Sequence, residues 1–295
     1  LRYCKESSVK NILVGITGSI SAYKMYDVTR ELYKMGYKVR VIMSKGAEQF
    51  IRAETFLYLG VEKVYSFTDD FNTQVSSGEI LHIELKNWMD LFVIAPASAN
   101  TIAKFSAGLC DDLLSTIFIS NSLKPTIIFP AMNTQMLHHP ITQKNIEFLK
   151  ELPYIFVHPS DSGLLACQEI GEGKLPPLET ITHIIDSFPL KSKNKNVLIT
   201  TGATCAPLDP VRYLTNPSSG KTGYELSKKY LKEGYNVTLV FGKFSTFPHS
   251  SLEHHPNMNL VKVNTTEEMY QAVAKSFDKA DVYISSAAIS DIQFS

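Results

Sequence analysis

The chain has 295 residues, enough for two ordinary domains, and its 29 Lys and Arg residues balance its 29 Asp and Glu residues. Because the charges balance and no long run of one sign occurs, we expect neither nucleic acid nor a membrane surface as a partner. No apolar stretch approaches the roughly 20 residues of a membrane span, and the opening LRYCKESSVK lacks the apolar centre of a secretory signal, so we expect a cytoplasmic protein.

Cysteine and histidine spacing gives no sign of a disulfide framework or a metal centre. The four cysteines are Cys4, Cys110, Cys167 and Cys205. They lie far apart and form no CxxC pair. His138 and His139 are adjacent, so their side chains would point in different directions on any regular element. We therefore predict that no metal is bound directly by side chains.

Strand-like and helix-like segments alternate along the first half of the chain. NILVGITGS (11–19), KVRVIMS (38–44), DLFVIAP (90–96) and PTIIFPAM (125–132) predict buried strands. SAYKMYDVTRELYKMG predicts a helix ending near Gly36, a helical stretch follows from about Ala47, and SANTIAKFSAG predicts another helix. Nearly continuous apolar runs are typical of parallel strands covered on both faces. The pattern predicts an α/β fold, with a Rossmann-like doubly wound parallel-sheet domain over 1–186.

A polar segment, SFPLKSKNKN, separates this pattern from a second one and predicts a linker over 187–196. After it come the strand-like NVLITTGAT, YNVTLVFG and DVYISSAAIS and the helix-like GYELSKKYLKEG and TTEEMYQAVAKSFDKA. We predict a partial second Rossmann-like domain over 197–295.

Small polar residues follow several of the predicted strands, where ligands of open α/β sheets bind. GITGSISAYK lacks the GxGxxG spacing, and the second strand ends at Ser44 instead of an acidic residue, so a dinucleotide site is weakly supported. Hydroxyl residues at a helix start suit a phosphate, although Thr17, Ser19 and Ser21 also suit ordinary caps. Past a later strand, the amide of Asn133 suits either ligand orientation or a cap.

Four segments in this order resemble the flavin-dependent cysteine decarboxylases: GITGSISAYK, HIELKNWMDLFVIAPASANTIAKFSAGLCDDLLST, PAMNTQM and LLACQEIGEGK. The resemblance is strongest to the decarboxylase half of the bifunctional coenzyme A biosynthesis flavoproteins. VLITTGATCAPLDPVRYLTNPSSGKTG resembles the start of their second half, a phosphopantothenate–cysteine ligase.

The resemblance implies FMN as the cofactor and 4'-phosphopantothenoylcysteine as the substrate. In the family, FMN takes a hydride from the carbon next to the thiol, which makes loss of carbon dioxide possible, and returns it afterwards. The implied FMN contacts are Gly18, Ser19, Ser21 and Ser44 on the phosphate side, Pro96, Ala97, Ser98, Asn100 and Thr101 along the flavin, and Ser115 and Met132 at the rest of the pocket.

The family pattern also implies three catalytic residues. His82 would act as a base or an orienting residue beside the flavin, the alternative being a partly buried structural histidine in a strand. Asn133 would hydrogen-bond the departing carboxylate without adding a like charge, and Cys167 would donate the final proton from a glycine-hinged flap. Met136 and Lys174 would contact the substrate. The sequence departs from the family at Gln168, where glycine is usual, and at Lys174, where arginine is usual.

For the second half, the resemblance implies CTP and Mg²⁺, with Arg212, Asn216, Ala287 and Asp291 at the ligase site. Cys205 and Ala206 replace a charged pair of the family, and the sequence stops at SDIQFS inside the nucleotide motif. We therefore expect a shortened ligase domain or a variant without ligase activity.

Two other functions remain open at this stage: a flavin-dependent peptidyl-cysteine decarboxylase and a non-catalytic regulatory flavoprotein. The implied ligands are phosphopantothenoylcysteine and, for the ligase, phosphopantothenate, cysteine and CTP. The family also implies a homo-oligomer, a trimer or a multiple of trimers, with a flavin pocket shared between chains.

Overall fold

The computed structural model describes residues 11–69, 80–121, 124–152, 154–164, 168–188, 193–247, 252 and 255–290. Contacts within the chain divide it into two compact units, 1–182 and 183–295. Each unit is built around its own parallel sheet. The division lies between Thr182 and His183, a few residues before the predicted linker at 187–196, four residues of which (189–192) lie outside the described part.

The first unit contains eight described strands. They are β1 Asn11–Ile16, β2 Lys38–Met43, β3 Lys63–Tyr65, β4 Leu91–Ala97, β5 Thr126–Pro130, β6 Ile155–Val157, β7 Asp161–Leu164 and β8 Ile170–Lys174. β1 to β6 form one sheet in the order β3-β2-β1-β4-β5-β6, and every neighbouring pair is parallel. β7 and β8 form a separate antiparallel hairpin.

Helices follow these strands along the chain, and the last of them begins in the first unit and ends in the second. They are α1 Met25–Lys34, α2 Ala53–Tyr58, α3 Leu81–Trp88, α4 Ala99–Ala107, α5 Leu113–Ser120, α6 Thr134–His138, α7 Pro140–Lys150 and α8 Leu178–Ser187, with 3₁₀ turns at Ile20–Lys24 and Ala47–Gln49. The helical stretch predicted from about Ala47 is thus a 3₁₀ turn followed by the short α2. The parallel α/β fold predicted from the apolar runs is confirmed.

The core explains why the strands are apolar throughout. Every residue of β4 is buried, and alternate strand residues such as Leu13, Phe92 and Ile94 share one hydrophobic cluster with residues of α3 to α7. The strands therefore need apolar side chains on both faces.

His82 lies in a helix. Leu81, Leu85 and Met89 recur at helical spacing and are buried, so that HIELKNW forms α3 against the sheet. The strand predicted in the alternative reading of His82 is wrong, because that spacing buries one face of a helix; His82 is partly buried on it, so a structural role for this histidine stays an open alternative.

The second unit contains a four-stranded parallel sheet in the order β13-β12-β9-β14. Its elements are β9 Asn196–Thr201, β10 Cys205–Pro207, β11 Tyr213–Thr215, α9 Lys221–Lys232, β12 Asn236–Gly242, β13 Met258–Val263, α10 Thr266–Phe277 and β14 Val282–Ser285. β10 and β11 form an antiparallel hairpin. Among the described residues of the whole chain, no helix is long and apolar enough to cross a membrane.

Candidate functional site in the first unit

A cavity of ≈ 910 Å³ opens at the carboxyl ends of the first unit's central strands. In the sheet, β1 and β4 are neighbours. The chain continues from β1 to β2 on one side of this pair and from β4 to β5 on the other side. Such a reversal of strand order leaves a crevice in which α/β proteins bind ligands. The lining residues come from the segments that follow β1, β2, β4 and β5, helices included, and from the β7–β8 hairpin and the residue after it.

Thr17 joins the two strand ends at this crevice. Its hydroxyl donates to the carbonyl of Pro96 at 2.7 Å and accepts from the amide of Ser98 at 2.8 Å. Thr17 is fully buried, and these bonds therefore hold the loops after β1 and β4 at a constant separation.

Glycines allow the loops after β1 and β2 to approach closely. A Cβ atom added to Gly18 would lie 3.0 Å from the Cα atom of Gly46. Both glycines line the cavity, so backbone atoms and no side chain form its surface at these two positions.

Two helical turns begin at the cavity wall. The Ser19 side chain accepts from the amide of Ser21 at the start of the 3₁₀ turn, and Ser98 caps α4 by accepting from the amide of Thr101. Ser98, Asn100 and Thr101 all line the cavity. Helix starts with amide and hydroxyl donors favour an anionic group.

Asn133 has two roles in this structure. Its side-chain oxygen accepts from the amide of Gln135 at 2.9 Å, which caps α6, and the residue also lines the cavity. Met132 and Met136 line the cavity on either side of it. Both interpretations of Asn133 from the sequence, cap and ligand contact, are therefore compatible with its position.

Most of the residues predicted for FMN and substrate lie at this cavity. Those that line it are Gly18, Ser19, Ser21, Ser44, Ser98, Asn100, Thr101, Met132, Asn133, Met136 and Lys174.

Other predicted residues do not line the cavity. Pro96 and Ala97 are buried in β4. Ser115 is also buried, and its hydroxyl and amide bind Asp112 in a capping box at the start of α5. His82, on α3, is not among the lining residues, and Cys167 lies outside the described residues.

Cations at the cavity include some that sequence reasoning missed. Lys24 and Lys45 line the cavity together with the predicted Lys174. Burial and the neighbouring Lys174 lower the pKa of Lys24, and Asp161 acts in the opposite direction. A nearby anion would offset the effect of Lys174 on Lys24, so this part of the cavity suits an anionic group. Lys24 stands at the end of GITGSISAYK, so the motif itself contained the signal.

Lys104 and Asp112, also missed, line the cavity and form an ion pair with each other. The Lys104 ammonium lies 2.7 Å from Asp111 and 2.9 Å from Asp112. Burial works against the charge, but these hydrogen bonds raise the pKa of Lys104. The Asp112 carboxylate in the wall is therefore paired with an ammonium group and is not bare.

The β7–β8 hairpin contributes Leu164, Gly173 and Lys174 to the cavity. Gln168, at the turn end of the hairpin, has φ 65°, the left-handed region that glycine adopts without cost. The backbone thus keeps a glycine-like conformation at the position where the sequence departs from the family pattern.

In the second unit the predicted ligase residues lie on the β10–β11 hairpin and after β14. Arg212 pairs with Asp209 at 2.6 Å, and the Asn216 amide donates to the carbonyl of Ile289 at 3.4 Å. Ala287 packs against a small hydrophobic cluster, and Asp291 lies outside the described residues. Cys205 and Ala206, in place of a charged pair, are buried in β10. Within the described ranges, no cluster of three or more His, Cys, Asp or Glu residues could hold a metal ion.

Both halves of the chain match known protein families. Residues 2–190 match the flavoprotein family, and residues 192–295 match the DNA/pantothenate metabolism flavoprotein C-terminal domain. The coenzyme A biosynthesis bifunctional protein CoaBC of Vibrio vulnificus is 39% identical over 284 residues, and that of Bacillus subtilis is 36% identical over 287 residues. Each alignment covers 96% of this chain and 68% of the relative.

Solved structures of related flavoproteins resemble part of this chain. A PPC decarboxylase mutant complexed with pantothenoylaminoethenethiol is 31% identical with a TM-score of 0.54, covering 59% of this chain and 95% of that one. The FMN binding protein AtHal3 is 31% identical with a TM-score of 0.52, covering 59% of this chain and 94% of that one. The chain therefore belongs to the family of bifunctional coenzyme A biosynthesis flavoproteins.

Proposed function

We propose that the cavity of the first unit binds FMN next to 4'-phosphopantothenoylcysteine and that its residues direct decarboxylation to 4'-phosphopantetheine. Family membership makes the chain an FMN-dependent phosphopantothenoylcysteine decarboxylase with a ligase-type second domain. The observation that supports the detailed proposal is one cavity, at the reversal of strand order, lined by hydroxyls, amides and lysines.

The residues present fit FMN. The close approach of Gly18 and Gly46 and the helix starts at Ser19 and Ser98 provide a cradle for its phosphate. Bound FMN supplies a reversible hydride acceptor, which no side chain can provide.

Within this site we assign the substrate's two ends to different residues. Asn133 hydrogen-bonds the departing carboxylate, because a neutral amide stabilises it without the repulsion of a like charge. Lys174, with Lys24 beside it, attracts the phosphate at the other end. We assign the final proton, delivered to the substrate carbon, to the Cys167 thiol on the basis of its sequence motif.

We further propose that His82 serves the cavity of a neighbouring copy in a homotrimer. His82 does not line the cavity of its own chain, and the apolar Ile80 and Ile83 beside it are exposed, Ile80 by 57%. Exposed apolar side chains grouped on one face favour contact with another chain.

The test is a mixing experiment on the FMN-loaded protein. Asn133→Asp keeps an oxygen that accepts from Gln135 and thus the α6 cap, but puts a negative charge beside the carboxylate, and His82→Asn removes the base. We expect each variant alone to release carbon dioxide at least about 100-fold more slowly than wild type. Co-expression should restore part of the activity, since some shared sites then combine intact His82 with intact Asn133.

The control is co-expression of each variant with itself. If the mixed protein is as inactive as the single variants, His82 does not act across chains. If wild type with bound FMN releases carbon dioxide from a peptide ending in cysteine but not from phosphopantothenoylcysteine, the substrate assignment is wrong.

For the second unit we propose a phosphopantothenate–cysteine ligase site that uses CTP and Mg²⁺, around Arg212, Asn216, Ala287 and Asp291. The hydrogen bond from Asn216 to Ile289 supports it, because it brings the hairpin to the chain after β14. CTP-dependent coupling of phosphopantothenate to cysteine, measured on the same sample, tests this proposal; no coupling with active decarboxylase would refute it. A cytoplasmic location remains a prediction.

A further inference from the structure

The strand β8 is bound directly to the segment that contains Asn133. The amide of Met132 donates to the carbonyl of Gly173 at 2.9 Å, and the hydroxyl of Thr134 donates to the carbonyl of Glu172 at 2.7 Å. These two hydrogen bonds lie on either side of Asn133. On the strand, they lie immediately before Lys174.

Two glycines make this close approach possible. A Cβ atom on Gly171 would overlap the hydroxyl of Thr134, and a Cβ atom on Gly173 would overlap the carbonyl of Met132. Gly173 also has φ +111°, a conformation that L side chains rarely adopt. The sequence of β8 is therefore adapted to lie against this segment.

A third contact lies at the exposed end of the same interface. His138 Nε2 is 3.1 Å from the Glu172 carboxylate, and both side chains are 55% exposed. An exposed pair of this kind adds little to stability. The hydrogen bond of the Thr134 hydroxyl is also exposed, but it binds the backbone of β8 itself and lies where a Cβ atom on Gly171 would overlap it.

We propose that Thr134 is a positioning residue for the decarboxylation: its hydroxyl holds β8, and with it Lys174, in a fixed place relative to Asn133. The inference rests on the roles proposed above for Asn133 and Lys174. Asn133 is proposed to bind the carboxylate of the substrate and Lys174 its phosphate. The substrate reacts well only if these two side chains are held at the correct distance from each other. A displacement of about 1 Å can cost about 100-fold in rate.

The test compares Thr134→Val with Thr134→Ser in the FMN-loaded protein. Valine keeps the shape but loses the hydroxyl, whereas serine keeps the hydroxyl. We expect Thr134→Val to lower kcat/KM for phosphopantothenoylcysteine by about 10-fold and Thr134→Ser to restore most of it. His138→Ala, which removes the exposed pair alone, is the matched control and should change kcat/KM less than about 2-fold.

Amide hydrogen exchange gives a second readout that needs no turnover. The Met132 amide, which donates to Gly173, should exchange faster in Thr134→Val than in wild type or Thr134→Ser, with bound FMN and melting temperature unchanged. The proposal would be overturned if Thr134→Val had the same Met132 exchange rate and the same kcat/KM as wild type. It would also be overturned if the amide exchanged faster but kcat/KM did not change. If wild type itself released no carbon dioxide from this substrate, the proposed function would fail, while exchange would still test the docking of β8.

Discussion

Several single residues both cap a helix and line the cavity. Asn133 caps α6, Ser98 caps α4, and Asp112 caps α5 while it pairs with Lys104. Removing such a side chain costs about 1 kcal/mol of stability through the lost cap in addition to any loss of function. Conservative variants that keep the cap, such as Asn133→Asp, are therefore needed to measure the functional part.

At the same scale, the proposed function predicts that Lys24 contributes to binding the phosphate end of the substrate, because Lys24 lines the cavity together with Lys174. Because the ammonium groups of Lys24 and Lys174 repel each other, an anion that binds both is stabilised. We expect Lys24→Met to raise KM for phosphopantothenoylcysteine by about 10-fold and to leave KM for unphosphorylated pantothenoylcysteine almost unchanged. Steady-state kinetics with both substrates provides the measurement.

Lys34→Met is the matched control, since Lys34 is exposed and pairs with Glu31 away from the lining residues. Equal increases in KM for both substrates would show that Lys24 does not contact the phosphate. Loss of bound FMN in Lys24→Met would instead assign Lys24 to the cofactor.

At the scale of elements, β8 depends on its glycines. Gly173→Ala combines an unfavourable φ with a collision against the Met132 carbonyl, whereas Gly36→Ala at φ +91° meets nothing within 4 Å. We expect Gly36→Ala to lower the free energy of unfolding by about 1–2 kcal/mol with full activity. Gly173→Ala should in addition lower kcat/KM by at least about 10-fold, because β8 must move away from Asn133.

Urea unfolding and decarboxylation assays on both variants check this prediction. Similar kinetics for Gly173→Ala and Gly36→Ala would mean that β8 tolerates displacement. The comparison separates backbone strain, which both substitutions introduce, from the collision that belongs to Gly173.

At the scale of the whole molecule, each unit has its own core, and the second contains a buried histidine. His255 is 2% exposed, its Nε2 lies 3.1 Å from the Ser187 carbonyl, and its Nδ1 accepts from the amide of Asn257. Burial lowers the pKa of His255 to about 4, while the hydrogen bond to Ser187 acts in the opposite direction.

The lowered pKa predicts how stability depends on pH. Between about pH 4 and pH 6.5 the unfolded chain binds a proton at His255 that the folded unit does not bind. The stabilising effect of the neutral histidine is therefore complete above pH 6.5 and decreases as the pH falls towards 4, by about 3 kcal/mol in all. Urea unfolding followed by far-UV circular dichroism at several pH values measures this slope.

His255→Gln should reduce the dependence of the second unit's free energy of unfolding on pH. Trp88 is the single tryptophan of the chain and lies in the first unit, so its fluorescence follows the other unit and serves as an internal reference. Identical pH slopes for wild type and His255→Gln would contradict the assignment.

The amino-acid sequence by itself determined the α/β class, the buried strands and the motifs at their ends, because apolar periodicity and strand boundaries are local properties. Most of the site residues that the motifs and the family resemblance indicated line one cavity, since the carboxyl ends of parallel strands lie at one edge of the sheet; their roles stay predictions. The order of the strands, and so the crevice between β1 and β4, was decided by the tertiary structure. The bond of Thr17 to Pro96, the proximity of Lys24 to Lys174 and the docking of β8 beside Asn133 join segments far apart in sequence. Local patterns do not encode such contacts, because they arise only when the crossover connections have set which strand lies next to which.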